Sequence, residues 1–208
     1  MMDSDFYITI FSIMVPIWFG IFAAFFFVIG LRGILTKRPF LLSSRWLLLV
    51  MFIGLIPAIL IPVFLPGDSP FILKWLNPSI FTLLLVMMCF ALKGYVAYAV
   101  TDTSFRDALL TSLQKLDLPH EETISTIRLT SVEVDLQVSV QSWMGSGQIK
   151  TKQRGQGSLL TEIATAMNEH FRVSSADTNL TACIFFLVMG ILMVIGGIGM
   201  FLLFQRVL

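Results

Sequence analysis

Charge is what this 208-residue chain has least of. Asp, Glu, Lys and Arg make up 13% of it, about half the share of a soluble domain, so a membrane protein is the first expectation. Cysteine occurs twice, as Cys89 and Cys183, each inside an apolar run; no disulfide framework is implied, and both read as small hydrophobes. The two histidines, His120 and His170, offer no pair at helical ligand spacing, and the carboxylates beside them (Glu121 with Glu122, and Glu169) do not converge on one point as neighbours in sequence. No metal, cofactor or catalytic residue is therefore assigned. Clustered positive charge is missing as well. The net charge is +1, and residues 101–179 hold 7 Lys/Arg against 10 Asp/Glu, which argues against a nucleic-acid partner. Neither a P-loop nor a dinucleotide fingerprint occurs. A basic segment ahead of the first apolar stretch is also lacking, Asp3 and Asp5 standing there instead, so that stretch is expected to be a retained span rather than a secretory signal.

What the chain has is apolar surface, at 56% hydrophobic residues and a mean hydropathy of +0.86. Four runs meet the roughly 20 residues that a hydrocarbon core requires. The first covers about 7–31 and is dense in aromatics, among them Trp18, Phe19, Phe22 and Phe27. The second, about 46–65, contains Pro57 and Pro62 and should be kinked. In the third, about 78–100, Asn77 and Pro78 supply a cap and a first-turn proline. The fourth, about 180–204, carries Gly190, Gly196, Gly197 and Gly199, which would let another helix approach closely. Lys93 reads as the one intramembrane charge. It is expected to snorkel toward the interface beside Tyr95 and Tyr98.

The short loop between the first two runs carries Arg32, Lys37, Arg38 and Arg45 with no acid. The positive-inside rule then puts that loop and residues 101–179 in the cytoplasm and both termini outside. Short length and the lack of an organelle signal suggest a bacterial inner membrane.

The polar segment 101–179 reads as a small α+β domain. Thr103 or Ser104 caps a helix with Phe105, Leu109, Leu110, Leu113 and Leu116 on one face, ending before Pro119. Ile127 and Leu129 suggest a short strand. Val132, Val134, Leu136, Val138 and Val140 then alternate with polar residues as a half-buried strand. A turn at Gly145 and Ser146 returns a third strand, placing Lys150, Lys152 and Arg154 opposite Gln141, Ser139 and Gln137 on the polar face. Ser158 caps a second helix with Leu160, Ile163, Ala164, Met167 and Phe171 inward. The expected fold is thus a four-helix transmembrane protein: spans one to three in 1–100, a helix, three antiparallel strands and a helix in 101–179, and span four with a short external tail in 180–208.

Function is read from surfaces. Trp143, with Gln137, Ser139 and Gln141, is the expected contact for a protein partner or a second copy, and Lys150, Lys152 and Arg154 form a possible contact with anionic lipid. The expectation is a non-enzymatic membrane-anchored interaction or assembly module. The alternative is a small transporter or channel component lined by the second span, Lys93 and the fourth-span glycines.

Overall fold

The computed structural model describes residues 4–64, 71–91, 93–123, 126–132, 134–153, 155–174 and 177–207, without the side chains of 4–11, 57–64, 71–74, 77, 91 and 207. Six α-helices and six strands follow one another as α1 (Ser4–Thr36), β1 (Phe40–Ser43), α2 (Ser44–Phe64), α3 (Phe71–Ala91), β2 (Tyr95–Tyr98), α4 (Asp102–Lys115), β3 (His120–Glu122), β4 (Thr126–Leu129), β5 (Val134–Gln141), β6 (Ser146–Thr151), α5 (Gly157–Val173) and α6 (Leu180–Val207). The chain divides into two compact units. One takes Met1–Val28, Leu47–Leu92 and Val188–Leu208; the other takes Ile29–Trp46 and Lys93–Leu187.

In the first unit the helices are apolar around their circumference. Among the described residues two helical stretches are long and apolar enough to cross a membrane, Ser12–Thr36 and Leu180–Arg206, while α2 and α3 contribute the shorter apolar stretches Ser44–Ile56 and Pro78–Phe90. Three of the four expected glycines of α6, Gly190, Gly196 and Gly197, lie close against α1, while a Cβ at Gly199 would meet nothing within 4 Å. A methyl group at Gly196 or Gly197 would sit 3.0 Å from Phe19 of α1, and one at Gly190 would sit 3.3 Å from Phe27. Pro78 does not open α3 as expected; the helix begins at Phe71 and carries Pro78 inside.

The second unit is an antiparallel sheet of six strands in the order β1-β2-β6-β5-β4-β3, where three were expected. The additions have a common origin. β1 comes from the basic loop between the first two apolar runs, and β2 from what reads in the sequence as the end of the third. Lys93 and Gly94 end that run: α3 stops at Ala91, and Gly94 takes φ +93°, with room for no more than a hydrogen because a Cβ there would lie 2.0 Å from the Ile149 carbonyl oxygen. Tyr95–Tyr98 then pairs on one side with Phe40–Ser43 and on the other with Ser146–Ile149. The compact unit accordingly reaches beyond 101–179 into 29–46 and 93–100.

Helices α4 and α5 cover one sheet face. Their inward residues Phe105, Leu109, Leu113, Ile163, Met167 and Phe171 close over Leu41, Ala97, Leu129, Val134, Leu136 and Ile149, all buried. Each large side chain contributes roughly 1.5–3 kcal/mol of transfer free energy, an upper figure because the unfolded chain already hides part of that area. Gly147 lies under Phe105, whose ring would be 2.5 Å from a Cβ at that position. Thr101 is the cap of α4, in a reciprocal pair with Ser104 (3.1 Å and 3.0 Å), rather than Thr103 or Ser104. At α5 the cap position is Gln156, one residue before the helix starts, and Ser158 lies inside. The open edge of β1 is closed by Asn168 of α5, whose Oδ1 accepts from the Leu41 N–H at 2.8 Å while its Nδ2 donates to the Leu41 carbonyl at 3.4 Å. A side-chain amide thus satisfies the strand groups that would otherwise recruit another chain.

The chain enters α6 through one polar node. The Asn179 Oδ1 accepts from the Ala182 N–H at 3.0 Å, its Nδ2 donates to the Ser142 carbonyl at 2.8 Å, and its backbone N–H donates to the Ala99 carbonyl at 2.9 Å. Beside it the Thr178 hydroxyl donates to the Lys37 carbonyl at the end of α1, at 2.7 Å. One dipeptide therefore fixes the α6 start to the hairpin tip, the β2–α4 link and α1.

Candidate interaction surface

Side chains alternate across a strand, so the sheet face away from α4 and α5 can be read row by row. Leu42, Val96, Gln148 and Ser139 form one row; Phe40, Tyr98, Ser146 and Gln141 form the next; Lys150, Gln137 and Thr126 form a third. The rows change character along their length. At the β1–β2 end Phe40 and Tyr98 are buried, their rings 5.7 Å apart, and Phe186 of α6 meets Tyr98 edge-on at 5.9 Å. At the β5 end Ser139 and Gln141 are exposed, and Gln137, Gln148 and Lys150 are half-buried.

The three residues expected on this face, Gln137, Ser139 and Gln141, do lie together on it, and Lys150 shares it opposite Gln137. The expected pairing with Gln141 is off by four residues. The hairpin is not a two-residue turn: a short 3-10 turn, Ser142–Met144, and Gly145 at φ +54° intervene, so Ser146 pairs with Gln141. A shift by an even number leaves every side chain on its expected face. Lys152 lies beyond β6, exposed, with its N–H donating to the Asp135 carbonyl at 3.1 Å. Arg154 lies outside the described residues. Val132, expected to open the long strand, is exposed just outside it.

Trp143 is 72% exposed at the hairpin tip. Its ring touches Phe185 of α6 edge-on at 6.4 Å. The structure also corrects Lys93. It is not on a helix inside an apolar run but in the exposed turn between α3 and β2, where its carbonyl accepts from Gln148 Nε2 at 3.1 Å. Tyr95 and Tyr98 are likewise strand residues rather than helix residues.

No family model, curated protein or solved structure matches the chain. Its chemistry is therefore read from its own side chains. Three ionisable pairs link α4 to its neighbours. Glu122 meets Arg106 at 2.6 Å, Glu169 meets Lys115 at 2.7 Å, and His170 Nε2 lies 3.2 Å from Asp107. The hydrogen bond and charge of Lys115 hold the Glu169 carboxyl below its usual range, and Glu122 raises the Arg106 guanidinium in the same way. Among the described residues no group of three His, Cys, Asp or Glu is placed to hold a metal ion. These pairs join α4 to α5 and to the β3–β4 hairpin, so they serve the fold.

Proposed function

We propose that this chain is a non-enzymatic integral membrane protein that crosses the bilayer four times, both termini external. In this reading the sheet unit lies on the cytoplasmic side and acts as an interaction or assembly module. The observation that carries the reading is the way the sheet is built. Two of its strands, β1 and β2, lie next to apolar helices in the sequence, β1 between α1 and α2 and β2 after α3, while its β5 end keeps a polar face uncovered beside the exposed Trp143. An uncovered sheet face with a large aromatic at its margin is the kind of surface where a few residues dominate association. The occupant we assign is a second copy of the chain or a single protein partner. A transporter role has less support, because Lys93, the one charge assigned to its path, stands outside α3.

One preparation tests both halves of the proposal. In sealed vesicles of known orientation, a Ser139→Cys variant with Cys89 and Cys183 replaced by alanine should react with a membrane-impermeant maleimide only from the cytoplasmic side, and a Ser4→Cys variant only from the opposite side. Equal access from one side would overturn the topology. The native mass of the detergent-solubilised protein should exceed that of one chain and fall on Trp143→Ala; a monomer unaffected by that change would overturn the module.

A further inference from the structure

The basic loop that orients the chain does more in the structure than carry charge. Arg32 and Arg38, from the end of α1 and the turn after it, converge with Arg172 from the last turn of α5 around a cleft of about 620 Å³. Thr36, Pro39, Phe40 and Asn168 supply the rest of its described wall, which includes no carboxylate. The neighbouring hollow beyond Arg38 and Arg172 does hold acid, but Glu169 there is already paired with Lys115. Two of the three guanidinium groups are held in place. Arg32 lies over the Phe40 ring, 4.4 Å from its centre, and Arg38 Nη1 donates to the Arg172 carbonyl. Capping the end of α5 accounts for Arg38. It does not account for Arg32 or for the Arg172 side chain, which face the same space.

Three guanidinium forks around one cleft match a phosphate, which offers several anionic oxygens to planar pairs of donors. Holding two of the forks beforehand lowers the ordering cost of binding. The surroundings add a second requirement. Leu31 and Leu35, one helical turn apart on α1 and each next in sequence to a residue of the cleft wall (Arg32 and Thr36), are 49% and 73% exposed. A ligand that uses both parts is an amphiphile with an anionic phosphate head. We infer that Arg32, Arg38 and Arg172 form a binding site for the phosphoryl headgroup of an anionic phospholipid, whose acyl chain lies along Leu31 and Leu35. The inference rests on the reading of α1 as a membrane span. It places lipid recognition at the α1–α5 junction rather than on Lys150 and Lys152.

The test uses full-length protein in detergent, given equal amounts of phosphatidylglycerol and phosphatidylcholine, with bound lipids counted by native mass spectrometry. The wild-type chain should favour phosphatidylglycerol by on the order of a hundredfold, and Arg32→Gln or Arg172→Gln should each reduce that preference about fivefold. Arg38→Lys keeps the charge while losing the fork, and should weaken retention less than either. Lys150→Gln with Lys152→Gln should change nothing. Unaltered preference in both arginine-to-glutamine variants, or loss confined to the lysine variant, would overturn the site. Equal displacement of the lipid by inorganic phosphate at the same concentration would overturn the amphiphile and leave a soluble phosphate site. Alkaline carbonate extraction of the source membranes separates the two levels. A chain that stays in the pellet but shows no headgroup preference refutes the site alone, whereas a chain released to the supernatant refutes the membrane reading beneath it.

Discussion

The two ends of the sheet's outer face are made of the same backbone and live in different surroundings. At the β1–β2 end every outward position is apolar or aromatic. Phe40 and Tyr98 are buried there against each other and against Phe186. Along β5 the outward positions are Asp135, Gln137, Ser139 and Gln141, of which Ser139 and Gln141 are exposed. Strand pairing alone therefore does not set burial on this face. The covered end is where Arg32 of α1 lies over Phe40 and Phe186 of α6 meets Tyr98. The covered end should behave as a core and the open end as a surface, and measurements can separate the two.

The largest effect is expected at Phe40. Replacing this buried ring with alanine removes the contact with Tyr98 and the support under Arg32, at about 3–5 kcal/mol. It should show as a lowered unfolding midpoint of the full-length protein in mild detergent. It should also speed amide exchange in β1 and β2 more than in β4. Equal acceleration across all six strands would mean that the sheet unfolds as one body with no separate covered end.

Tyr98 sharpens the comparison through pH. Burial pushes its phenol up to about 12, against about 10 in an unfolded chain. The folded state thus favours the neutral phenol, and the unfolded chain gives up its proton first. Stability from this residue is intact below about pH 10, falls as pH rises from there, and levels off near pH 12, a loss on the order of a few kcal/mol. Tyr98→Phe cannot ionise, so its stability curve should run flatter than the parent's across that window. Parallel curves would show that the hydroxyl reaches water and that this end is not closed.

The open half was legible in the amino-acid order, and the covered half was not. From Val134 to Gln141 the alternation of apolar and polar residues states which face is wet, and that assignment survives even though the hairpin pairs four residues away from the simplest turn. The helix faces of α4 and α5 were equally plain, because Phe105, Leu109 and Leu113, or Ile163, Met167 and Phe171, recur at helical spacing. β1 and β2 have no such signature. Four residues such as Phe40–Ser43 or Tyr95–Tyr98, lying against apolar helices and covered on both faces, show no alternation, and they merge with the neighbouring hydrophobic run. β3, with three polar residues, is too short for any period. The arginine cleft was half visible. The unopposed basic charge of Arg32 and Arg38 stood out in the sequence, but Arg172 is 134 residues from Arg38, and only the packing of α5 on β1 brings it there.

The smallest effect, and the control for the other two, belongs to Ser139. It is exposed in the middle of β5, faces Gln148 across the strand pair, and points away from α4 and α5. Truncation to alanine removes a hydroxyl that water already reaches, so the unfolding midpoint should move by an amount equivalent to less than about 0.5 kcal/mol. The comparison turns on this variant because Ser139 and Val96 occupy the same row, separated by Gln148 alone. A truncation Val96→Ala, at the covered end of that row, gives up apolar area and should cost more than Ser139→Ala. If Ser139→Ala instead destabilises the protein as much as Val96→Ala, something covers the whole row in the native assembly. The division into a closed and an open end would then describe one chain by itself, with the second copy or partner completing the core.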